Sequence, residues 1–358
     1  MKNLEGFKNM NILKSLGLDV KQTEILYNFQ FLKTVEDIEN EKNQTLKEEK
    51  TKWLNEWQNG IELVFSETYQ DYIIEWAKDE EELKNWISKK EVESNSIWLD
   101  LVTLETYVFE PYYPLNISDK KSKLKFNSKN SWLEDFIVSN FISKELYSEM
   151  KKTYKKSFVK ITKKKNFYIN TALASLGLAL LFTGIGAIFA PQIAVALFGG
   201  QFSGLYGAAL TNAVLAYIGG GAIAAGGLGV AGGTMVIAGG GALLGLNIGM
   251  MSSSTFVLVK EVLVNPTQNI ILCSKLLTVV KVFVLNKNND IELAKTFYNE
   301  FNNSILNLDN LDYNTELDMD KKNQKDLKKS LVQMKNTKDE LKKFISSYEV
   351  SLKNKIGS

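Results

Sequence analysis

Residues 168–190 read YINTALASLGLALLFTGIGAIFA, and residues 219–245 read GGGAIAAGGLGVAGGTMVIAGGGALLG. Both lie in a 94-residue stretch, Asn166–Val259, that contains no Asp, Glu, Lys or Arg and holds 20 of the 24 glycines in the chain. About a quarter of the residues in an ordinary soluble domain are charged, so a gap of this length has a physical cause. An uncharged apolar run of about 18 residues or more is the usual sign of a bilayer-spanning helix. At about 20 residues apiece, the stretch is long enough for two to four of them.

Within the stretch, Tyr168–Ala190 is a continuous hydrophobic span stopped by Pro191. Ile193–Leu215 is interrupted by Gly199, Gly200 and Ser203, and Tyr217–Gly249 is mostly Gly and Ala. In water each such glycine costs a helix about 1 kcal/mol relative to Ala. In a bilayer the backbone must satisfy its own hydrogen bonds, so helix is enforced and glycine lets helix backbones approach closely. The spacing suits that use. Gly200 and Gly204 form one small-xxx-small pair, Ala225, Gly229 and Gly233 form a ladder, and Gly241, Gly245 and Gly249 form a second ladder. Each set makes a flat groove on one helix face, which either closes a hairpin within one molecule or joins separate copies. Gly227–Gly232 also fits GxGxxG, but a dinucleotide site needs an acidic residue about 20 positions on. The next acid is Glu261, so no nucleotide site is read here.

Outward from this centre lie two charged arms, 1–165 and 260–358, rich in Lys, Glu, Asn and Asp. In the first, apolar residues recur at three and four through Ile25, Phe29, Leu32, Val35 and Ile38, then Leu46, Trp53, Trp57, Ile61 and Val64. This predicts amphipathic helix, with Gly60 as a candidate break. Ile97–Tyr113 is dense in β-branched and aromatic residues and closes at Pro111 and Pro114, so a short β element around 97–113 is possible on pattern alone. Helix is expected again from Trp132 through Met150. The adjacent acids Glu80, Glu81 and Glu82 read as solvated rather than catalytic.

Eight lysines then fall in fifteen positions: Lys151, Lys152, Lys155, Lys156, Lys160, Lys163, Lys164 and Lys165. Set directly against an apolar run, they match the positive-inside pattern and predict contact with anionic lipid headgroups. They should stay on the side of synthesis, and an even number of spans would put the C-terminal arm there too. Beyond the stretch, Val262–Leu285 is apolar but carries Lys275 and Lys281, which fits a buried or interfacial helix better than another span. From Asp318 the tail reads as a long charged helix. Its seam is Leu327, Leu331, Met334, Leu341, Ile345, Tyr348 and Leu352, with Lys338 in one core slot.

The chain has no histidine and no arginine. The commonest general base and metal ligand is missing, and so is the bidentate clamp for phosphate or carboxylate. Cys273 is the single cysteine, which leaves no intramolecular disulfide and no multi-cysteine metal site. No Gly-Lys dipeptide occurs, hence no Walker motif. We expect no enzyme, cofactor or metal. The net charge of +2 steers neither toward nucleic acid nor away from it, and no nucleic-acid partner is expected. The first 25 residues lack a long apolar core and a small-residue cleavage site, so we expect cytoplasmic synthesis and action at a membrane; export without a recognisable signal peptide is the alternative.

Two helical arms flanking a hydrophobic segment resemble the helical pore-forming toxins of bacteria, of the cytolysin A and haemolysin BL type. The likeness is architectural, and it departs from that family in the length and glycine content of the segment. It implies an uncharged segment hidden in a soluble form that enters the membrane on assembly. The expected fold is therefore mainly α: a helical domain (1–165), a membrane-inserting segment (166–259) and a helical or coiled-coil arm (260–358). The expected function is membrane permeabilisation by a homo-oligomer, alone or with a second protein component. The alternatives are a constitutive integral membrane protein with scaffold or sensor arms, and a soluble helical binding protein.

Overall fold

The computed structural model describes residues 20–68, 73–89, 97–112, 124–127, 131–164, 266–309 and 321–356. These residues are mainly α-helical, and no strand occurs among them. They cluster into two compact units whose boundary lies between Tyr147 and Ser148.

The first unit holds α1 (Val20–Glu39), α2 (Gln44–Thr68), α3 (Glu80–Lys89), α4 (Trp98–Val108), α5 (Ser131–Asn140) and the start of α6 (Lys144–Thr162). α1 is its axis and packs on α2, α3, α4 and α5. Every residue from Thr23 to Gln30 is buried, so α1 has no solvent face over two turns. That explains why it carries Thr23, Asn28 and Gln30 in the core beside Ile25, Leu26, Tyr27 and Phe29. Asn28 uses its amide on the neighbouring extended segment: Nδ2 donates to Glu75 O at 2.9 Å, and Oδ1 accepts from Ala77 N at 2.6 Å. Rings fill the rest. Trp53 and Trp57 stack at 6.1 Å, and Phe29 meets the edge of Phe136 at 5.5 Å.

Three expectations need correction. Residues 97–113 hold no β element among the described residues; Trp98–Val108 is a helix with nine of its eleven residues buried. Its polar residues Asp100, Thr103, Glu105 and Thr106 are buried along with the apolar ones, so neither face is marked and periodicity cannot separate strand from helix there. Helix satisfies its own backbone bonds, as in Leu101 N to Ile97 O and Phe109 N to Glu105 O, both 2.9 Å. Gly60 does not break α2. The break comes at 40–43, where Asn43 Oδ1 accepts from Leu46 N at 3.1 Å and caps the new helix. The run from Trp132 to Met150 is also two helices, parted by a turn after Asn140 and restarted by Ser143, whose Oγ accepts from Leu146 N.

The second unit holds the rest of α6, α7 (Pro266–Thr278, continuing as a π-helix over Val279–Lys287), α8 (Ile291–Asp309) and α9 (Lys321–Ile356). Val279, Val280, Val282 and Val284 crowd the α-helical spacing. The wider i→i+5 turn leaves Val282–Leu285 all in the core. Side-chain contacts set the directions. Asn269 Nδ2 donates to Ser330 O and Gln333 Oε1, at 3.1 and 2.7 Å, and Tyr348 OH donates to Asn289 Oδ1 at 2.7 Å, so α7 and α9 run parallel. Asn336 Nδ2 donates to Ile161 O at 2.7 Å, while Glu149 accepts from Asn286 near the other end, so α6 runs against both. α6 therefore ends, and α7 begins, toward the N-terminal end of α9.

Leu327, Leu331, Met334, Leu341 and Ile345 of the expected seam are buried, and Lys338, Tyr348 and Leu352 are half-buried. Among the described residues one helix, Asn269–Lys287, is long and apolar enough to cross a membrane, and 89% of it is buried within the protein. Lys275 sits fully inside and Lys281 at the edge, where Glu149 lies 3.7 Å away.

Candidate membrane-facing site

The expected lipid-contacting lysines lie on the second half of α6. Their spacing decides their placement, because residues three and four apart share a helix face. Met150, Thr153, Tyr154, Ser157, Phe158 and Ile161 turn inward and are buried. Lys152, Lys155, Lys156 and Lys160 consequently share the outer face, with Val159 exposed among them. Lys151 is half-buried beside this stripe. The helix ends at Lys163, whose φ of 54° is left-handed. A residue with a Cβ pays about 1–2 kcal/mol for that conformation, so the turn is held by its surroundings; one support is Thr162 Oγ1, which accepts from Lys164 N at 3.3 Å. Lys163 and Lys164 are exposed.

The lysines are not equivalent. Lys160 Nζ lies 2.6 Å from Glu340 Oε2 and 4.8 Å from the centre of the Phe344 ring, so it is committed to α9. Burial opposes ionisation of Glu340, yet Lys160 and Lys343 hold its carboxyl below the usual carboxylate range. Lys165 and the membrane-packing set Gly200, Gly204, Ala225, Gly229, Gly233, Gly241, Gly245 and Gly249 lie outside the described residues. The cluster Glu80, Glu81 and Glu82 forms the first turn of α3, where acids favour the helix dipole. Glu80 accepts from Trp132 Nε1 at 2.6 Å, and Glu82 Oε2 accepts from Lys78 N at 2.8 Å.

A second charged constellation, in the first unit, escapes a reading of periodicity. Lys50 Nζ lies 2.7 Å from Asp37 Oδ2 and 3.0 Å from Glu41 Oε2, with Lys50 and Asp37 each only 1% exposed. Asp37 also accepts from Tyr112 OH at 2.8 Å and from Asn127 N at 2.6 Å. One turn back, Lys33 Nζ donates to the carbonyls of Thr106, at 2.7 Å, and Phe109, closing the C-terminal end of α4. Its ammonium stands 4.8 Å from the Phe126 ring. Burial brings the Lys33 pKa down to about 7, against the opposing pull of Glu110 and Asp37. Burial, then the bond to Asp37, pushes the Tyr112 hydroxyl far above its ordinary value. Every strong donor here has an acceptor, as a packed structural network requires. Among the described residues no group of three or more Cys, Asp or Glu is placed to hold a metal ion. The signal in the sequence was the i,i+4 pair Lys33 and Asp37 on the Phe29 face of α1, charges where an apolar stripe should continue.

No protein-family model matches this chain, and neither a curated protein nor a solved structure is significantly similar to it.

Proposed function

We propose that this is a non-enzymatic, membrane-inserting protein that oligomerises through residues 166–259 and permeabilises a bilayer, in the manner of a bacterial toxin or a cell-depolarising defence effector. The observation that carries the reading is the contrast within one chain: 94 consecutive residues without a formal charge, between arms dense in Lys and Glu. Such a stretch exposes no group that a bilayer would reject at the several-kcal/mol level set by buried charge. Its glycine ladders would let helix backbones approach closely in lipid, and a ring of copies would repeat that contact. The lysine stripe of α6 supports the reading by its position, immediately before the stretch, where cationic side chains meet anionic headgroups. The absence of His and Arg from the chain bears on the non-enzymatic part.

The test is release of dye from loaded liposomes by full-length protein, combined with flotation. Leakage that is lost in a variant lacking 166–259 supports the reading. Dye retention across several lipid compositions and pH values removes it. A protein recovered only from the membrane fraction, and extracted only by detergent, replaces it with a constitutive integral membrane protein.

A further inference from the structure

One lysine on the outer face of α6 differs from the others in what it touches. Lys152, Lys155 and Lys156 are exposed and form no ion pair among the described residues. Lys160 is held by α9: its Nζ lies 2.6 Å from Glu340 Oε2 and 4.8 Å from the centre of the Phe344 ring. Glu340 and Phe344 stand four apart on α9 and so share a face. Asn336, four residues before Glu340, lies on that face too and donates to Ile161 O at 2.7 Å. In the sequence, Lys160 comes six residues before the uncharged stretch opens at Asn166, nearer to it than Lys152, Lys155 or Lys156.

Lys160 can leave this contact without stranding a charge. Withdrawing one partner from a buried ion pair is costly because the other charge stays behind uncompensated. Neither partner of Lys160 would be left in that state. Glu340 offers its second oxygen, Oε1, to Lys343 at 2.7 Å. Phe344 has a second cation, Lys281, 5.6 Å from its ring centre, and Lys281 has Glu149 besides, at 3.7 Å. Lys160 itself already reaches water, with 41% of its side chain exposed. A pair so exposed is weak. An anionic bilayer surface is a competitor of similar strength, since it draws in each nearby lysine with about fivefold in affinity.

We infer that Glu340 of α9 is a latch on α6, which holds Lys160 back from the anionic lipid headgroups that Lys152, Lys155 and Lys156 are free to meet. The inference rests on the membrane reading above and adds its regulation: α9 and lipid compete for one ammonium group. With the latch closed, the outer face of α6 meets the bilayer through Lys152, Lys155 and Lys156. With it open, Lys160 joins them, and Lys343 and Lys281 remain on Glu340 and Phe344.

The test is a double-mutant cycle on full-length protein, read by flotation on vesicles of phosphatidylcholine, alone or mixed with phosphatidylserine. On the mixed vesicles E340Q should gain up to about fivefold in apparent affinity, and K160Q/E340Q should lose that gain. In the unsubstituted background K156Q should lose about fivefold, and K160Q much less, because Glu340 already holds that charge. Binding to phosphatidylcholine alone should not change in any of them. A gain that survives in K160Q/E340Q reports net charge only and overturns the latch. So does a loss from K160Q equal to that from K156Q, a comparison that stands even if E340Q does not fold. A gain by E340Q on soluble heparin, with none on vesicles, overturns it as well. The two readings fail separately. Undiminished flotation of K152Q/K155Q/K156Q on mixed vesicles removes the lipid-facing stripe itself, whereas a loss there with no gain from E340Q keeps the stripe and removes only the latch.

Discussion

Replacing Lys50 by Met would strand the buried carboxylate of Asp37 beside that of Glu41 at the edge of the first unit's core. Lys50 stands 2.7 Å from Asp37 and 3.0 Å from Glu41, and the exposed fraction of Asp37 is 1%. Removing one partner of a buried ion pair costs about 3–5 kcal/mol, because an uncompensated charge remains. Here the lower end applies. Asp37 keeps its bonds from Tyr112 OH and Asn127 N, and Glu41 reaches the surface. We expect a loss of about 3 kcal/mol, or about 1.5 M in urea midpoint if the slope is about 2 kcal/mol per molar. Tryptophan fluorescence reports this unit selectively, since all six tryptophans precede Phe136. The double variant K50M/D37N should recover part of the loss by removing the stranded charge. A shift of K50M below about 1 kcal/mol would show the triad to be no more than a surface pair and would refute the reasoning.

Lys33 supplies a pH test. Its folded pKa of about 7 lies below the unfolded 10.5, so the unfolded chain holds the extra proton in that window and stability rises with pH. Between roughly pH 7.5 and pH 9 the protein should gain about 2 kcal/mol over K33M, read by urea unfolding; a constant difference would contradict it. Above about pH 10 the raised tyrosines Tyr107, Tyr112 and Tyr147 work the other way, because the unfolded state then sheds protons that the folded state keeps. Within the uncharged stretch, Leu at Gly241, Gly245 and Gly249 should preserve vesicle binding and abolish assembly and leakage. Leu at Gly226, Gly232 and Gly240 should do less harm, and equal damage from both sets would end the case for the ladder.

What could be read from residue order follows the physics of amphipathic surfaces. α9 has a solvent side along its length, so its heptad seam shows in the spacing of Leu327, Leu331, Met334, Leu341 and Ile345. α6 has one too, and its lysines separate cleanly from Tyr154, Phe158 and Ile161. α1 and α4 lack such a side. Asp100, Thr103, Glu105 and Thr106 are buried in α4, as Lys33, Thr34 and Asp37 are in α1. Where polar residues line a core, the contrast on which periodicity depends disappears. The placing of α6 beside α9 is a matter of tertiary direction, set by single contacts such as Asn336 to Ile161 and Lys160 to Glu340, and no local pattern encodes it.

The helix Asn269–Lys287 and the uncharged stretch 166–259 are both rich in apolar residues, and their charged side chains tell them apart. Asn269–Lys287 carries Lys275 and Lys281, each of which costs about 2.5–3.5 kcal/mol near the centre of a membrane. Leaving the unit would also break the two bonds from Asn269 to α9 and expose a helix now 89% buried. Residues 166–259 carry no such charge. If the uncharged stretch inserts as proposed, α7 should remain packed. Cys273, at 2% exposure, sits in the middle of α7 and serves as its reporter. We expect it to stay closed to a thiol reagent after the protein has released dye from vesicles, and to open only in denaturant. Labelling of Cys273 in step with leakage would place α7 in the inserting machinery, and the second unit would then be a state that assembly dismantles.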